Sequence, residues 1–320
     1  MGVLQPLKKV FIIPFPNGLG HIRRMSILSN ELTKKFKVSL VIYKGKTKQV
    51  LDRKIKKVNV NLRNYNYFNF YSKLIKLQSV KENIKCCDII ISDNIHEFTK
   101  LNKKVYIFAN FFWDKIFKKK DNLKLKKGDK IFCNYIFKTG HIKKISHHNI
   151  PFFQKKIKSN SLKKNILISI GTSSYKISKS SIRSINQKLK SNIFKKYKFY
   201  VDPKIFHQLK KNKNVFKANY SQKMYKKTKY AIIKPGMGTI EECLKHNVAI
   251  FAFKKNMNFE FYHNSNALVK NKLGVSTNTL ESSLHLLSKK LNEKNYKLNT
   301  KSLKWNGEKK ISNILYKYSL

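Results

Sequence analysis

The chain has 320 residues, 41% of them hydrophobic and 12% aromatic, with 70 basic against 16 acidic side chains and a formal net charge of +54. That length suits one large or two medium domains with real cores, and the apolar content excludes a disordered chain. No apolar run approaches the ~18 residues of a membrane-spanning helix, and four cysteines without a Cys-x-x-Cys pair point to neither a zinc site nor a disulfide framework.

A first strand is expected at Val10–Phe15, followed by a helical pattern from His21 to Phe36 and further strands at Val38–Tyr43, Asp88–Ser92, Val105–Ala109 and Ile131–Asn134. These runs are continuously apolar rather than alternating, as strands of a parallel sheet covered on both faces are. The polar stretch from His147 to Lys164, interrupted by Pro151, is the expected linker. The alternation then restarts. Ile166–Ile170 ends in Gly171-Thr172-Ser173-Ser174, Tyr197–Val201 runs into Asp202-Pro203, and Ala231–Ile233 runs into Lys234-Pro235-Gly236-Met237-Gly238-Thr239. A helix from Ile240 to His246 and a strand at Val248–Phe253 follow. From Lys289 to Leu320, Leu and Ile recur at helical spacing with Gly307 as the weak point, so a terminal helical segment is expected. The expectation is an α/β protein of two Rossmann-like domains, residues 1–155 and 156–320, each opening with a strand and a glycine turn.

The first strand leads into Asn17-Gly18-Leu19-Gly20-His21-Ile22-Arg23-Arg24. A strand, a glycine turn and a helix start form an anion cradle, because the first backbone N–H groups of a helix have no partner within it. The spacing is not Gly-x-Gly-x-x-Gly and no acidic residue ends the second strand, so a dinucleotide cofactor is not expected. His21 falls where the carboxyl edge of the sheet meets a cleft. A helix N-terminus disfavours the imidazolium, which suits a general base for an acceptor hydroxyl; a surface histidine capping the helix is the alternative. Only five residues in the chain are arginine, and two of them, Arg23 and Arg24, follow His21 directly. Asp93, at the end of the strand Ile91-Ser92-Asp93-Asn94, would orient His21, bind the acceptor, or simply close a turn.

The second glycine turn, Lys234 to Thr239, again follows a strand and opens a helix. Of eleven glycines in the chain, Gly18, Gly20, Gly171, Gly236 and Gly238 all fall in strand-to-helix turns, where close approach of a diphosphate to the backbone requires them. Thr239 and Glu242 have capping-box spacing. Alternatively, the Glu242 carboxylate accepts hydrogen bonds from ribose hydroxyls.

Gly-Leu-Gly-His near the start, Lys-Pro-Gly-Met-Gly-Thr-Ile-Glu-Glu-Cys-Leu later, and Asn110-Phe111-Phe112-Trp113-Asp114 together resemble segments of GT-B glycosyltransferases. The nearest likeness is to the peptidoglycan N-acetylglucosaminyltransferase that forms lipid II and to small bacterial transferases sharing its C-terminal domain. The resemblance spans roughly residues 10–274. It implies two facing Rossmann-like domains with the active site between them and the terminal helix packed back on the first. It also implies a UDP-sugar co-substrate, no cofactor, and a cell-envelope role with a lipid-linked or glycan hydroxyl as acceptor; no metal is expected, because the chain lacks the Asp-x-Asp pair that chelates one in the other major transferase fold and the helix start at Gly236 to Thr239 can meet the leaving-group charge. By the same resemblance Glu242 binds ribose, Gly236, Met237, Gly238 and Thr239 hold the diphosphate, and Tyr220 and Ser221 face the base in a loop that reads it through backbone groups, with Gly171 also at the nucleotide. The family's Gln-x-x-Asn-Ala is replaced here by His263-Asn264-Ser265-Asn266-Ala267, so His263, Asn266 and the nearby Glu260 would meet the donor sugar. Asn17, Gly18 and Gly20 form the N-terminal turn. A Gly-x-Gly-His-x-x-Arg turn is also similar to one in UDP-sugar hydrolases, which makes a hydrolase or epimerase on the same fold the alternative. No Asp-x-Asp pair is present.

The charge would suggest a polyanion partner. Yet the basic residues are nearly all lysine, spread along the chain among Asn and Ile, as an A/T-rich coding bias produces. Arginine is the better fork for phosphates and bases, and the aromatic segment Asn64–Tyr71 has no glycine platform beside it. A lysine-rich nucleic-acid-binding protein is thus only a second alternative, and no nucleic-acid partner is expected. A cytoplasmic location is expected, with peripheral contact to the anionic inner face of the cell membrane.

Overall fold

The computed structural model of the protein describes residues 6–16, 18–44, 53–62, 65, 67–110, 125–157, 163–171, 177–254, 259–292, 300 and 302–319. By its contacts the chain forms two compact units, one of residues 1–154 with 304–320 and one of residues 155–303.

Unit 1 runs β1 (Lys9–Ile13), α1 (Gly18–Leu32), β2 (Lys37–Tyr43), β3 (Lys56–Val60), α2 (Tyr67–Leu74), α3 (Gln78–Cys86), β4 (Ile89–Asp93), β5 (Lys104–Phe108), β6 (Lys130–Asn134), α4 (Gly140–Lys143) and β7 (His148–Ile150). Its strands form one parallel sheet in the order β3-β2-β1-β4-β5-β6-β7. Four of the five residues of β1 and all five of β4 are buried, which is why the sequence reads apolar without a break there. On α1, Ile22, Met25, Leu28 and Leu32 recur at helical spacing and are buried against Val10, Ile12 and Ile91 of the sheet.

Unit 2 runs β8 (Asn165–Ser169), α5 (Lys179–Lys190), α6 (Asn192–Lys195), β9 (Lys198–Val201), α7 (Pro203–Phe206), β10 (Val215–Lys217), α8 (Gln222–Lys227), β11 (Thr228–Ile233), α9 (Met237–Lys245), β12 (Ala249–Phe253), α10 (Phe259–Lys270), β13 (Val275–Thr277) and α11 (Leu280–Asn292). Its sheet is also parallel, in the order β10-β9-β8-β11-β12-β13. Ile166, Ile168, Ile232 and Phe251 pack one face of it against Leu284 and Leu287 of α11.

The chain then rejoins unit 1 with α12 (Gly307–Lys317), whose Ile311 and Leu315 enter the core cluster that holds α1. Two sequence expectations are corrected here. The stretch from His147 to Gln154 is not linker: it carries β7 and then pairs with the terminal segment, Phe152 N–H donating to the Lys304 carbonyl (3.0 Å) and Gln154 N–H to Glu308 Oε2 (2.8 Å). Gly307 is not the weak point of a long helix but the first residue of α12. A Cβ there would collide with the Pro151 carbonyl, and its N–H donates to Phe152 O (2.9 Å). Among the described residues no helix is long and apolar enough to cross a membrane.

Candidate functional site

Each sheet has one point at which the strand order reverses. In unit 1 the chain leaves β1 toward β2 and β3, then returns to place β4 on the other side; in unit 2 the same happens at β8 and β11. The carboxyl ends of the strands at such a reversal open into a crevice, because the flanking connections lead away on opposite sides. His21 and Asp93 lie at the first of these points and Gly171, Lys234 and Gly236 at the second; each is taken by itself.

In unit 1 the crevice joins the first turn of α1 to the end of β4. His21 Nδ1 lies 2.8 Å from Asp93 Oδ2, and Arg24, one turn further along α1, donates from Nη2 to Asp93 Oδ1 at 2.8 Å. Asp93 is fully buried, whereas the His21 side chain keeps a quarter of its surface. Burial alone would raise the Asp93 pKa; the opposing charges and hydrogen bonds of Arg24 and His21 outweigh it and hold the carboxyl below the usual range. An ionised carboxylate only accepts, so the His21 nitrogen that meets it, Nδ1, bears a proton, and in the neutral ring Nε2 is then the acceptor. The edge of Phe15 packs on the imidazole with ring centroids 5.6 Å apart, and the Arg24 guanidinium lies 4.4 Å from the centre of the Phe108 ring. Gly18 and Gly20 lie in the first turn of α1, and Asn17 falls outside the described residues, as do residues 111–124. Asn110 is buried and its side chain accepts from Asn134 N–H (2.8 Å), tying the end of β5 to the end of β6.

In unit 2 Gly171 follows β8 in the left-handed conformation (φ +71°), and a Cβ on it would sit 3.3 Å from Lys234 Cε. Lys234 follows β11, its N–H bonded to the Ser169 carbonyl (2.9 Å), its ammonium 4.4 Å from the Phe261 ring centre and its side chain buried. Burial pushes the Lys234 pKa down to about 8, with Glu260 and Asp202 opposing the fall and Lys204 adding to it. The helix after this lysine begins earlier than the sequence suggested. Gly236 is the N-cap of α9 and Met237 its first residue, so Thr239 is not the cap and the capping-box reading of Glu242 fails. Residues Gly236 to Thr239 are half-buried; Gly236 N–H bonds the Lys234 carbonyl (2.8 Å) and Thr239 N–H the Gly236 carbonyl (3.1 Å), so the N–H groups of Met237 and Gly238 are the ones with no carbonyl of their own helix to bond. The turn is fixed from outside by a residue the sequence reading passed over: buried Asn264 on α10 donates from Nδ2 to the Pro235 carbonyl at 2.9 Å. It lies inside the His263-to-Ala267 motif, and an amide buried one turn into a helix was the missed signal.

Glu242 is buried, its carboxylate 3.9 Å from Lys245 Nζ and 3.8 Å from His246 Nε2. Tyr220 has a left-handed backbone (φ 53°), and its hydroxyl donates to Asp202 Oδ2 (2.7 Å) while lying 3.0 Å from Ser169 Oγ. That hydroxyl is thus spent on the ends of β8 and β9. Ser221 caps α8, accepting from Met224 N–H (3.2 Å). Glu260 and His263 lie one turn apart on α10, His263 stacked on Phe259 with centroids 5.9 Å apart. Asn266 does not join them; it is exposed, 3.4 Å from Lys254 Nζ. No group of three or more His, Cys, Asp or Glu suited to a metal ion occurs among the described residues.

No protein-family model matches the chain, and no curated protein matches it in sequence. Solved structures match it in fold. The kitacinnamycin glycotransferase superposes with a TM-score of 0.66 at 10% identity, covering 98% of this chain and 99% of that one. SnogD from Streptomyces nogalater, a glycosyltransferase, gives 0.63 at 10% identity over 99% and 100%. UGT89C1 of Arabidopsis thaliana, solved with UDP-L-rhamnose, gives 0.62 at 12% identity over 99% and 100%. The architecture is that of GT-B glycosyltransferases, two parallel-sheet Rossmann-like domains.

Proposed function

We propose that the protein is a glycosyltransferase that moves a hexose or N-acetylhexosamine from a UDP-sugar to an acceptor hydroxyl. The observation that carries the reading is the His21–Asp93 contact at the reversal point of unit 1. A buried carboxylate holds a helix-start imidazole by Nδ1, so that Nε2 can take the proton of a hydroxyl as it attacks. The likeness in fold to solved glycosyltransferases supports it, as does the likeness to UGT89C1 solved with UDP-L-rhamnose and LpCGTa solved with UDP. Unit 2 supplies the donor site. Gly171 and the turn from Gly236 to Thr239 let the diphosphate approach the backbone, while the α9 N-terminus and Lys234 stabilise the charge that grows on the departing UDP. This leaving-group stabilisation comes from the chain's own groups, so the transfer is proposed to need no metal and no further cofactor. Glu242 takes the ribose hydroxyls, backed by Lys245 and His246; Glu260 and His263 take the donor sugar. The loop at Tyr220 and Ser221 offers its backbone to the base, since both side chains are engaged in structure. The acceptor is lipid-linked or a glycan, met at the inner face of an anionic membrane.

The test is UDP release from a panel of UDP-sugars with and without hydroxyl acceptors. Release that depends on an acceptor and yields a glycosylated product supports the reading. Release at the same rate without acceptor makes the protein a hydrolase, and no release with no UDP binding removes the nucleotide from the account.

A further inference from the structure

We propose that Arg24 is a positioning residue for the proposed transfer, fixing which nitrogen of His21 carries the proton. The inference rests on the reading of His21 as a base, and it concerns a residue that touches neither acceptor nor donor in that reading. Asp93 has two carboxylate oxygens and no surface. One oxygen meets His21 Nδ1 and the other meets Arg24 Nη2, each at 2.8 Å. Among the described residues the titratable groups around the carboxylate are His21 and Arg24 from α1 and Tyr43 from the end of β2, whose hydroxyl donates to the Pro14 carbonyl (2.6 Å). Arg24 is therefore the one permanent cation on Asp93 among the described residues. It is itself held in place, nearly buried and laid over the Phe108 ring of β5.

Remove that charge and the chemistry of the pair inverts. A carboxylate buried without a cation takes up a proton from solvent rather than stay charged. Protonated Asp93 then donates its O–H to His21 Nδ1, which must be the bare nitrogen, and the ring proton sits on Nε2. The imidazole keeps its place but presents a donor where the reaction needs an acceptor. Lysine at this position would keep the charge but lose the planar guanidinium stacked on Phe108.

The test is the tautomer of His21, read by 15N-edited spectra of the full chain labelled at histidine, with His21→Ala identifying its signals. The spectra need no substrate, so they report on Arg24 whatever the reaction proves to be. The wild type is expected to show Nδ1–H, and Arg24→Gln to show Nε2–H in at least half of the molecules at pH 7. Arg24→Lys is expected to restore Nδ1–H. In the transfer assay Arg24→Gln should lower turnover ~100-fold and move the acid limb of its pH profile upward, with KM for the donor unchanged. If Arg24→Gln does not fold, Arg24→Met, equally without charge, is read in its place, and Arg24→Lys, which keeps the charge, should stay within ~10-fold of wild-type turnover. Nδ1–H retained in the neutral variant, or Nε2–H in Arg24→Lys, overturns it.

Discussion

The two reversal points are built alike and finished differently. In unit 1 three charged or titratable side chains, His21, Arg24 and Asp93, close on one another around a carboxylate with no exposed surface. In unit 2 the corresponding place brings together Gly171 in a left-handed turn, a buried lysine whose side chain lies against it, and the glycine cap of α9. Side chains in a fixed network can hold a proton at a chosen atom; bare N–H groups and an ammonium can hold an anion of any shape that fits. In the function proposed above, this contrast separates proton handling in unit 1 from anion handling in unit 2 by what each places at its strand ends.

The largest effect expected on this contrast is in unit 1. Asp93→Ala leaves the Arg24 guanidinium buried without its counter-ion, which should cost about 3–5 kcal/mol of stability in urea unfolding. The same pair gives a pH signature. The folded pKa of Asp93 is depressed, so its stabilisation is complete above the unfolded value of about 4 and is lost as pH falls through the lower folded value. Acid unfolding of the wild type and of the alanine variant should converge below that range. Next, His21→Ala should lower turnover by ~100-fold or more with stability little changed. A stability loss with turnover intact would make His21 a helix cap and leave unit 1 without a base.

In unit 2 the expected effects are smaller because several groups share the anion. Glu242→Ala should weaken UDP binding by about 2 kcal/mol by leaving ribose hydroxyls without an acceptor; unchanged affinity in calorimetry would reduce Glu242 to its contacts with Lys245 and His246. Gly171→Ala forces a left-handed backbone on alanine and crowds Lys234, for about 1–2 kcal/mol of stability. The subtlest effect is a proton. With the Lys234 pKa near 8, a bound diphosphate raises it, so UDP binding above pH 8 should take up protons. Calorimetry in buffers of different ionisation enthalpy reads this uptake, and Lys234→Met should abolish it.

Much of the fold is legible in the sequence at its centre and little of it at its margins. The central strands β1, β4, β8 and β11 stand as apolar runs because neighbours and helices cover both faces. The four strands that went unread, β3, β7, β10 and β13, are the sheet edges: Lys-Lys-Val-Asn-Val, His-Asn-Ile, Val-Phe-Lys and Val-Ser-Thr, short and polar as edges are. The site divides in the same way. His21 and Asp93 stood out by the places of a glycine turn and a strand end, with the orienting of His21 as one of three roles open to Asp93; what no local pattern carries is the 2.8 Å geometry that joins residues 72 positions apart. Arg24 stood out by its rarity, yet its partner is set by the parallel register of β1 and β4, which no local pattern carries. Tyr220 was read as facing a base in a loop that uses its backbone, and its hydroxyl is bonded to Asp202, a partner 18 positions away that no local pattern announces.

The division between the two crevices is tested most directly by titrating UDP into the wild type, His21→Ala and Lys234→Met by calorimetry. Equal affinity for the wild type and His21→Ala, with Lys234→Met weaker by ~30-fold, is the expected result, since a hydrogen-bonded charge on a diphosphate is worth about 2 kcal/mol. UDP affinity lost in His21→Ala, or retained in Lys234→Met, would contradict it.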